Sequence, residues 1–184
     1  MNNSKMNKTL FAVAMTSIVS SASVFAADDV KHEPAKLYVS VGKIDQTADE
    51  YIPEPAGFEL TFGGDINDYL GVSLSFAKAD ETYNTVLAET TTFGINVDLG
   101  KKFDVNEDFQ IKPYGLVGIK ETEFTLSNSY AEASDSSAYM GFGLGVRATF
   151  KQALVIGFEY VSNSASDDYF PDYDQTKWFV GYQF

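Results

Sequence analysis

From Ala35 onward the chain alternates apolar residues with small or polar ones. A period of two is typical of β-strands, in which successive side chains point to opposite faces. Turns or loops separate eight such stretches, and none of them follows a helical period. The stretches are residues 36–44, 57–65, 69–79, 89–101, 109–121, 138–150, 153–162 and 175–184.

The connections between these stretches are predicted to alternate in length. Long ones are expected around residues 45–56, 80–88, 122–137 and 163–174, and short ones around residues 66–69, 102–108 and 151–153. An up-and-down meander with long loops at one end and short turns at the other is typical of a transmembrane β-barrel. With eight strands, both ends of the barrel segment lie on the short-turn side.

The two faces of the predicted strands differ in bulk. One parity carries large apolar side chains such as Leu60, Phe62 and Leu144, whereas the other carries glycines, serines and most of the charges. An eight-stranded barrel has room inside only for a packed set of side chains. We therefore predict an all-β fold, an eight-stranded antiparallel up-and-down transmembrane β-barrel, with the bulky parity facing lipid and no unpaired edge.

Aromatic residues of the outward parity are expected to mark the two membrane interfaces, as in other barrels of this kind. The candidates are Phe58, Phe76, Phe93, Phe142, Tyr160 and Trp178 near the long-loop ends, and Phe62, Phe109, Phe150 and Phe184 near the short-turn ends.

Charges of the inward parity are few and balanced. Three acids oppose three bases: Glu59, Asp98 and Glu159 against Lys112, Arg147 and Lys177. A symmetric register brings Asp98 near Lys112 and Glu159 near Lys177, because cross-strand neighbours on one face lie ~5 Å apart. We interpret the six residues as a charge network that plugs the lumen, and the alternative is a row of binding or gating residues.

The N-terminus has the pattern of a secretory signal peptide. Lys5 and Lys8 precede an apolar run from Thr9 to Val19, and small residues lead to a predicted cleavage site after Ala26. That run is too short to span a bilayer. The predicted organisation is a cleaved signal peptide at 1–26, a polar leader at 27–35 and the barrel at 36–184.

Composition narrows the function further. The chain has no cysteine, and its net charge of −13 disfavours nucleic acid as a partner. His32, the only histidine, lies in the predicted leader, so no catalytic constellation is found and no enzyme activity is expected. The predicted loops are acidic, and the last of them holds Asp167, Asp168, Asp172 and Asp174 without the spacing of a calcium loop. No metal or cofactor is therefore predicted.

These features together resemble the small outer-membrane β-barrel family of Gram-negative bacteria, the porin-family domain of the outer-membrane protein A and X type. The resemblance covers residues 36–184. In that family the last strand is recognised by the outer-membrane assembly machinery, and its pattern is matched by Trp178, Val180, Tyr182 and Phe184. The resemblance implies location in the outer membrane, among its lipids and lipopolysaccharide.

The leading hypothesis is a non-enzymatic integral outer-membrane protein whose acidic extracellular loops serve envelope integrity or contact with an extracellular macromolecule. One alternative is a narrow porin-like channel, which requires measurable conductance. A second is a soluble periplasmic lipocalin-like barrel that binds an apolar ligand inside, which requires the opposite facing of every strand.

Overall fold

The computed structural model describes residues 36–48, 54–83, 85–128, 130–167 and 169–184. The predicted signal peptide and polar leader, with His32, lie outside these residues. No helix in the described ranges is long and apolar enough to cross a membrane. The strands are β1 (Lys36–Ala48), β2 (Ala56–Asp65), β3 (Leu70–Tyr83), β4 (Val86–Gly100), β5 (Phe103–Asn106), β6 (Phe109–Ser127), β7 (Glu132–Phe150), β8 (Leu154–Ala165) and β9 (Tyr173–Gln183).

Eight long strands form a closed antiparallel ring. The first and last strands pair along their length, from Tyr38 opposite Gln183 to Ala48 opposite Tyr173. Backbone hydrogen bonds of 3.2 and 2.8 Å between Leu37 and Phe184 extend this pairing to the last residue. On the other side β4 pairs directly with β6. The predicted eight-stranded fold is therefore confirmed.

The short strand β5 was not predicted. It follows β4 after a break at Lys101 and Lys102 and pairs with the first residues of β6. Its register, with Phe103 opposite Ile111, continues that of β4, with Gly100 opposite Tyr114, so β5 extends β4 along the same edge of β6. All four of its side chains are exposed. The connection at 102–108 is consequently more ordered than the simple turn that the sequence indicated.

The prediction of long loops was wrong at two places, where strands occupy most of the connection. Strand β3 runs to Tyr83 and β4 begins at Val86, so most of 80–88 is a hairpin rather than a loop. In the same way β6 and β7, each 19 residues long, pair as far as Ser127 opposite Glu132. A strand crosses a membrane with ~9–11 residues. At these two places the chain expected to form a long loop therefore continues the strands beyond the part that crosses the membrane.

The two faces of the barrel have the predicted polarity. Phe58 and Leu144 on the outside are 67 % and 70 % exposed, whereas Glu59 and Lys112 on the inside are each 3 % exposed. This is the reverse of a soluble barrel, which keeps its apolar side chains inside. An exterior of this kind requires lipid, and the lipocalin-like alternative is excluded because it needs every strand to face the other way.

The interior also holds apolar side chains that the sequence did not assign there: Ile44, Leu116, Val155, Val161 and Phe179 are all buried. They alternate along the lumen with glycines that make room for them. The ring of Phe179, for example, lies over Gly157 on the neighbouring strand.

The aromatic residues expected at the interfaces lie on the outward face. Phe58, Phe62, Phe76, Phe142, Phe150, Tyr160, Trp178 and Phe184 are exposed, and Phe93 and Phe109 are half-buried. On β7, Phe142 and Phe150 stand eight residues apart, a distance of roughly 27 Å along the strand at ~3.4 Å per residue. A strand tilt of about 40° reduces this to a height of about 21 Å, slightly less than the ~25 Å apolar band of known barrels.

Candidate functional site

The lumen near the short-turn end contains an ion cluster centred on Asp65, which we call the lower cluster. Both Lys112 and Arg147 donate hydrogen bonds to Asp65 Oδ1, at 2.7 and 2.6 Å. Lys112 also donates to Asp98, and Lys102 at the rim lies 3.3 Å from Asp65 Oδ2. The Arg147 guanidinium further stacks over the ring of Tyr38, 4.6 Å from its centroid. These contacts join β2, β4, β6 and β7 across the width of the barrel.

A second cluster, the central cluster, lies higher in the lumen around Lys177. The Lys177 ammonium lies 2.7 Å from Glu59 Oε1 and 2.5 Å from Glu159 Oε2. Tyr114 donates a hydrogen bond of 2.6 Å to the other oxygen of Glu159, and Thr61 donates one of 3.1 Å to Glu59. Both carboxylates therefore have a charged partner and a neutral donor.

Lys120 joins this cluster through an amide. Its ammonium donates to Gln175 Oε1 at 3.4 Å, and Gln175 Nε2 donates to Glu59 Oε2 at 3.2 Å. All three side chains are buried. A buried ammonium is costly unless it is hydrogen-bonded, and the Gln175 amide links Lys120 to the negative charge of Glu59.

Two glycines allow these side chains to cross between strands. A Cβ on Gly42 of β1 would lie 2.9 Å from Lys177 Cγ, because the lysine passes over β1 on its way to Glu59. A Cβ on Gly145 of β7 would lie 2.5 Å from the ring of Tyr114, which crosses β7 to reach Glu159. Contacts this close leave no room for a side chain, so glycine is required at both positions.

The structure brings the six predicted lumen charges into two groups rather than one. Glu59, Glu159 and Lys177 meet in the central cluster, and Asp98, Lys112 and Arg147 lie in the lower cluster. The acid that pairs with Arg147 is Asp65, which was not among the predicted lumen charges. Lys102 and Lys120 were also missed.

A signal for two of these omissions was present in the sequence. Asp65 shares the parity of Glu59, and Lys120 shares that of Lys112, so strict alternation to the ends of the strands places both inside. With them the described strands contribute eight charges to the two clusters, four of each sign: Glu59, Asp65, Asp98, Glu159, Lys112, Lys120, Arg147 and Lys177.

Chemically, this arrangement pairs every one of these buried charges with a partner of opposite sign or with a hydrogen-bonding group. Removing one member of a buried pair typically costs ~3–5 kcal/mol, since it leaves an uncompensated charge. Within the described ranges there is no group of three or more His, Cys, Asp or Glu side chains with the geometry of a metal site. The two clusters place cations against carboxylates and a tyrosine, which is the chemistry of charge pairing.

At the opposite end of the barrel, strands β6 and β7 continue outward as a long hairpin, which we call the outer hairpin (residues 121–137). Residues 132–136 are all exposed, and Tyr130 near the tip is 97 % exposed. The Asn128 side chain accepts hydrogen bonds of 2.9 Å from the backbone N–H groups of Tyr130 and Ala131, which holds the tip in a tight turn.

The outer ends of the strands and their connections carry charge of one sign. In residues 49–56, 79–90, 121–137 and 164–176 the sequence has 14 Asp and Glu residues and no Lys, Arg or His. The basic residues of the barrel segment lie in the lumen, in the short-turn half, or at Lys43 and Lys78 on the exterior. The outer end is therefore strongly anionic.

The sequence model of the outer membrane protein beta-barrel domain matches residues 11–184 of the chain. The chain belongs to this outer-membrane β-barrel family. Its localisation is accordingly the outer membrane of a Gram-negative cell, the short-turn end is periplasmic, and the outer end is extracellular.

Similar proteins and structures fit this family. The attachment invasion locus protein of Yersinia enterocolitica is 28 % identical over 163 residues, which is 84 % of this chain and 88 % of the relative. The crystal structure of Ail, the attachment invasion locus protein of Yersinia pestis, has a TM-score of 0.56 at 21 % identity, and covers 82 % of this chain and 97 % of that one. A further crystal structure shows that protein with the heparin analogue sucrose octasulfate.

Neisserial surface protein A has a TM-score of 0.60 at 12 % identity, over 82 % of this chain and 96 % of its own. Identities this low establish the shared fold alone.

Proposed function

We propose that this protein is a non-enzymatic outer-membrane barrel that uses its anionic extracellular end to contact other macromolecules, while its lumen is closed. The observation that carries the proposal is the outer hairpin, which extends well beyond the ~9–11 residues that cross the membrane and presents Tyr130 at its tip. Exposed tyrosines are favoured in macromolecular contacts. The name of the Yersinia enterocolitica relative, an attachment invasion locus protein, supports the same class of function.

The chemistry of the partner follows from the charge of the outer end. Fourteen acidic residues without a basic one repel a sulfated polysaccharide, and they attract a cationic surface across the ~8 Å over which physiological salt screens charge. A heparin analogue was found with the Yersinia pestis protein. For this chain we propose instead a partner with a basic surface, such as a Lys- or Arg-rich protein.

The closed lumen is the second part of the proposal. Eight inward charges in two paired clusters fill the barrel, and an eight-stranded barrel leaves little space beyond its own side chains. We propose that the clusters stabilise the fold and support envelope integrity, and that they do not conduct solutes. The narrow channel is the competing function, and ion conductance distinguishes the two.

The ends of the chain and the exterior complete the proposal. Residues 1–26 direct secretion and are removed after Ala26, and 27–35 form a leader. The assembly machinery is proposed to recognise four residues on the outside of the last strand: Trp178, Val180, Tyr182 and Phe184. The exposed aromatic residues are proposed to anchor the barrel at the two interfaces, against lipid and lipopolysaccharide.

Binding of whole cells to coated surfaces tests the surface function. Cells that display the wild-type protein are expected to adhere to poly-lysine better than cells without it, and to show no gain on heparin. Neutralising three exposed acids of the outer hairpin (Glu123→Gln, Glu132→Gln, Asp135→Asn) should remove most of the gain.

A matched control removes three exposed acids from the periplasmic end: Asp104→Asn, Glu107→Gln and Asp108→Asn. It has the same net charge as the outer triple variant, and adhesion should stay at the wild-type level. Equal adhesion of wild-type cells and cells without the protein, or equal loss in both variants, contradicts the proposal.

A further inference from the structure

Two pairs of exposed lysines on the exterior of the barrel have different surroundings. In the outer half, the ammonium groups of Lys43 and Lys78 lie 2.9 and 2.8 Å from a carboxylate oxygen. At the periplasmic end, Lys101 and Lys151 are also exposed, but neither makes an ion pair within the described ranges. The outer pair is therefore neutralised by its own acids, whereas the periplasmic pair keeps its positive charge.

The first periplasmic lysine, Lys101, lies against an aromatic ring. Its ammonium is 5.6 Å from the centroid of the Phe103 ring, within the range of a cation–π contact. Phe103 in β5 is 50 % exposed, and its register on β6 continues that of Leu99 in β4. It therefore has the outward parity of Leu99 and is a further aromatic residue of the periplasmic interface, which the sequence had not indicated.

The second lysine, Lys151, lies in the two-residue turn between β7 and β8. The Ala153 N–H closes this turn by donating to the carbonyl oxygen of Phe150 at 3.1 Å. Lys151 and Gln152 both have positive φ, 50° and 56°, although such turns favour Asn and Gly because other L-residues seldom adopt the left-handed conformation. The turn holds the Lys151 ammonium 5.4 Å from the centroid of the Phe150 ring.

These two lysine–aromatic pairs lie side by side on the barrel wall. Phe150 in β7 is opposite Phe109 in β6, and Phe103 in β5 is opposite Ile111 in the same strand. The two pairs therefore flank β6 at the short-turn end, with Phe109 between them on the outward face. We call this surface the basic patch and define it by five residues: Lys101, Phe103, Phe109, Phe150 and Lys151.

The acids nearest in sequence to the basic patch have other contacts. Asp104 has the parity opposite to that of Phe103, and its Oδ1 accepts a hydrogen bond of 2.6 Å from Gln110 on the inward side of β6. Asp108 contacts Lys151 through the main chain, where its carbonyl oxygen accepts from the Lys151 N–H at 2.6 Å. An anion at the basic patch consequently has no bound carboxylate to displace, unlike an anion at the outer lysines.

We propose that the basic patch binds the headgroup of an acidic phospholipid in the periplasmic leaflet of the outer membrane. Lys101 and Lys151 lie beside the lipid phosphate, and the exposed rings contact the region between headgroup and acyl chains. The ligand is a lipid because the lysines lie on rings of a barrel exterior that requires lipid. It is acidic because the two unpaired lysines repel the ammonium group of a zwitterionic headgroup. This inference goes beyond the proposed function and involves no extracellular partner.

Nuclear magnetic resonance of the refolded protein in lipid nanodiscs tests the proposal. Nanodiscs of phosphatidylcholine are compared with nanodiscs in which phosphatidylglycerol replaces an increasing fraction of that lipid. The backbone amide signals of Phe103 and Lys151 are expected to shift in a saturable manner as the fraction rises. Those of Lys43 and Lys78 should move less than about a third as far, because their ammonium groups are already paired.

A soluble anion distinguishes a lipid site from a phosphate site. Glycerol 3-phosphate, added to phosphatidylcholine nanodiscs, supplies the same phosphate without acyl chains. It should leave the Phe103 and Lys151 signals unchanged at millimolar concentration. Shifts equal to those with phosphatidylglycerol would identify a site for free anions and overturn the proposal.

Two double variants locate the site on the barrel. Lys101→Gln with Lys151→Gln removes both unpaired charges and should reduce the shift of Phe103 at least threefold. The matched control, Lys43→Gln with Lys78→Gln, removes the same charge from the exterior of the outer half and should respond like the wild type. A heat-dependent gel shift of both variants verifies that the barrel is folded.

The absence of a saturable shift in the wild-type protein overturns the proposal. An unchanged response in the periplasmic double variant also overturns it, as does an equal loss in the two double variants, since the response would then reflect the overall charge of the protein. None of these readouts involves adhesion. Failure of the lipid site therefore leaves the proposed surface function untouched, and the reverse holds too.

Discussion

Lys177 in β9 donates a hydrogen bond of 2.7 Å to Glu59 in β2, although β1 lies between the two strands. The contact is made inside the barrel, over the bare backbone of Gly42. It ties the last strand of the chain to the second one and so reinforces the seam at which the barrel closes. Two residues 118 positions apart in sequence are thus joined across the space that the absence of a side chain at Gly42 leaves.

The requirement for a free space at Gly42 can be tested by placing a side chain there. Gly42→Val would place its side chain against Lys177 Cγ and the carbonyl oxygen of Trp178, each 2.9 Å from the position that the new Cβ would occupy. We expect the free energy of unfolding to fall by about 3 kcal/mol, from overpacking together with loss of the ion pair. Guanidinium titration in detergent micelles, followed by circular dichroism, measures it.

Gly115→Val is the control for this substitution. The nearest atom to a Cβ at that position is 3.9 Å away, so the unfolding free energy should change by less than about 0.5 kcal/mol. Equal destabilisation by the two variants would show that strand propensity, and not the crossing lysine, sets the requirement for glycine.

From the contacts in the central cluster we predict that its variants lose different amounts of unfolding free energy. Lys177→Met leaves two carboxylates, Glu59 and Glu159, without their shared cation, and should cost about 3–5 kcal/mol of unfolding free energy. Glu59→Gln keeps hydrogen-bonding groups beside Lys177, which still has Glu159, and should cost only about 1–2 kcal/mol.

The double variant Glu59→Gln with Lys177→Met should be more stable than Lys177→Met alone, because one of the two buried charges has gone. The same unfolding titration gives all four corners of the cycle. Strict additivity of the two changes would mean that the two side chains do not interact in the folded protein.

Removal of the last residue should impair assembly. Phe184 completes the pairing with Leu37 through two backbone hydrogen bonds and places an exposed aromatic ring at the periplasmic end. In cells, deletion of Phe184 should lower the fraction of protein that shows a heat-dependent gel shift severalfold. Deletion of Tyr130 at the outer tip serves as the control and should leave that fraction unchanged. Similar folded fractions for the two deletions would argue against an assembly signal at Phe184.

Periodicity predicts the barrel because lipid outside and a crowded lumen inside impose opposite demands on alternate residues. Beyond the membrane that demand ends, since water reaches both faces of a hairpin. Residues 132–136 are accordingly all exposed, and their lack of alternation made the outer hairpin look like a loop. Strand β5, at the short-turn end, also has all four side chains exposed and gave no periodic signal.

The partners inside the lumen were harder to predict than the strands. Cross-strand register places Glu159 beside Lys177, as expected from a symmetric hairpin. It does not reveal that Arg147 reaches Asp65, because these residues lie on strands that are not neighbours. Such contacts depend on long side chains and on the glycines they cross, and both become visible only in three dimensions.

Ion conductance in planar lipid bilayers tests most directly the central claim, that the lumen is closed and the function lies on the outer surface. The folded wild-type protein is predicted to insert without producing discrete current steps. Reproducible steps whose size changes in Arg147→Ala or Lys112→Ala would contradict the account, because they would show that ions pass the lower cluster and that the barrel is a narrow channel.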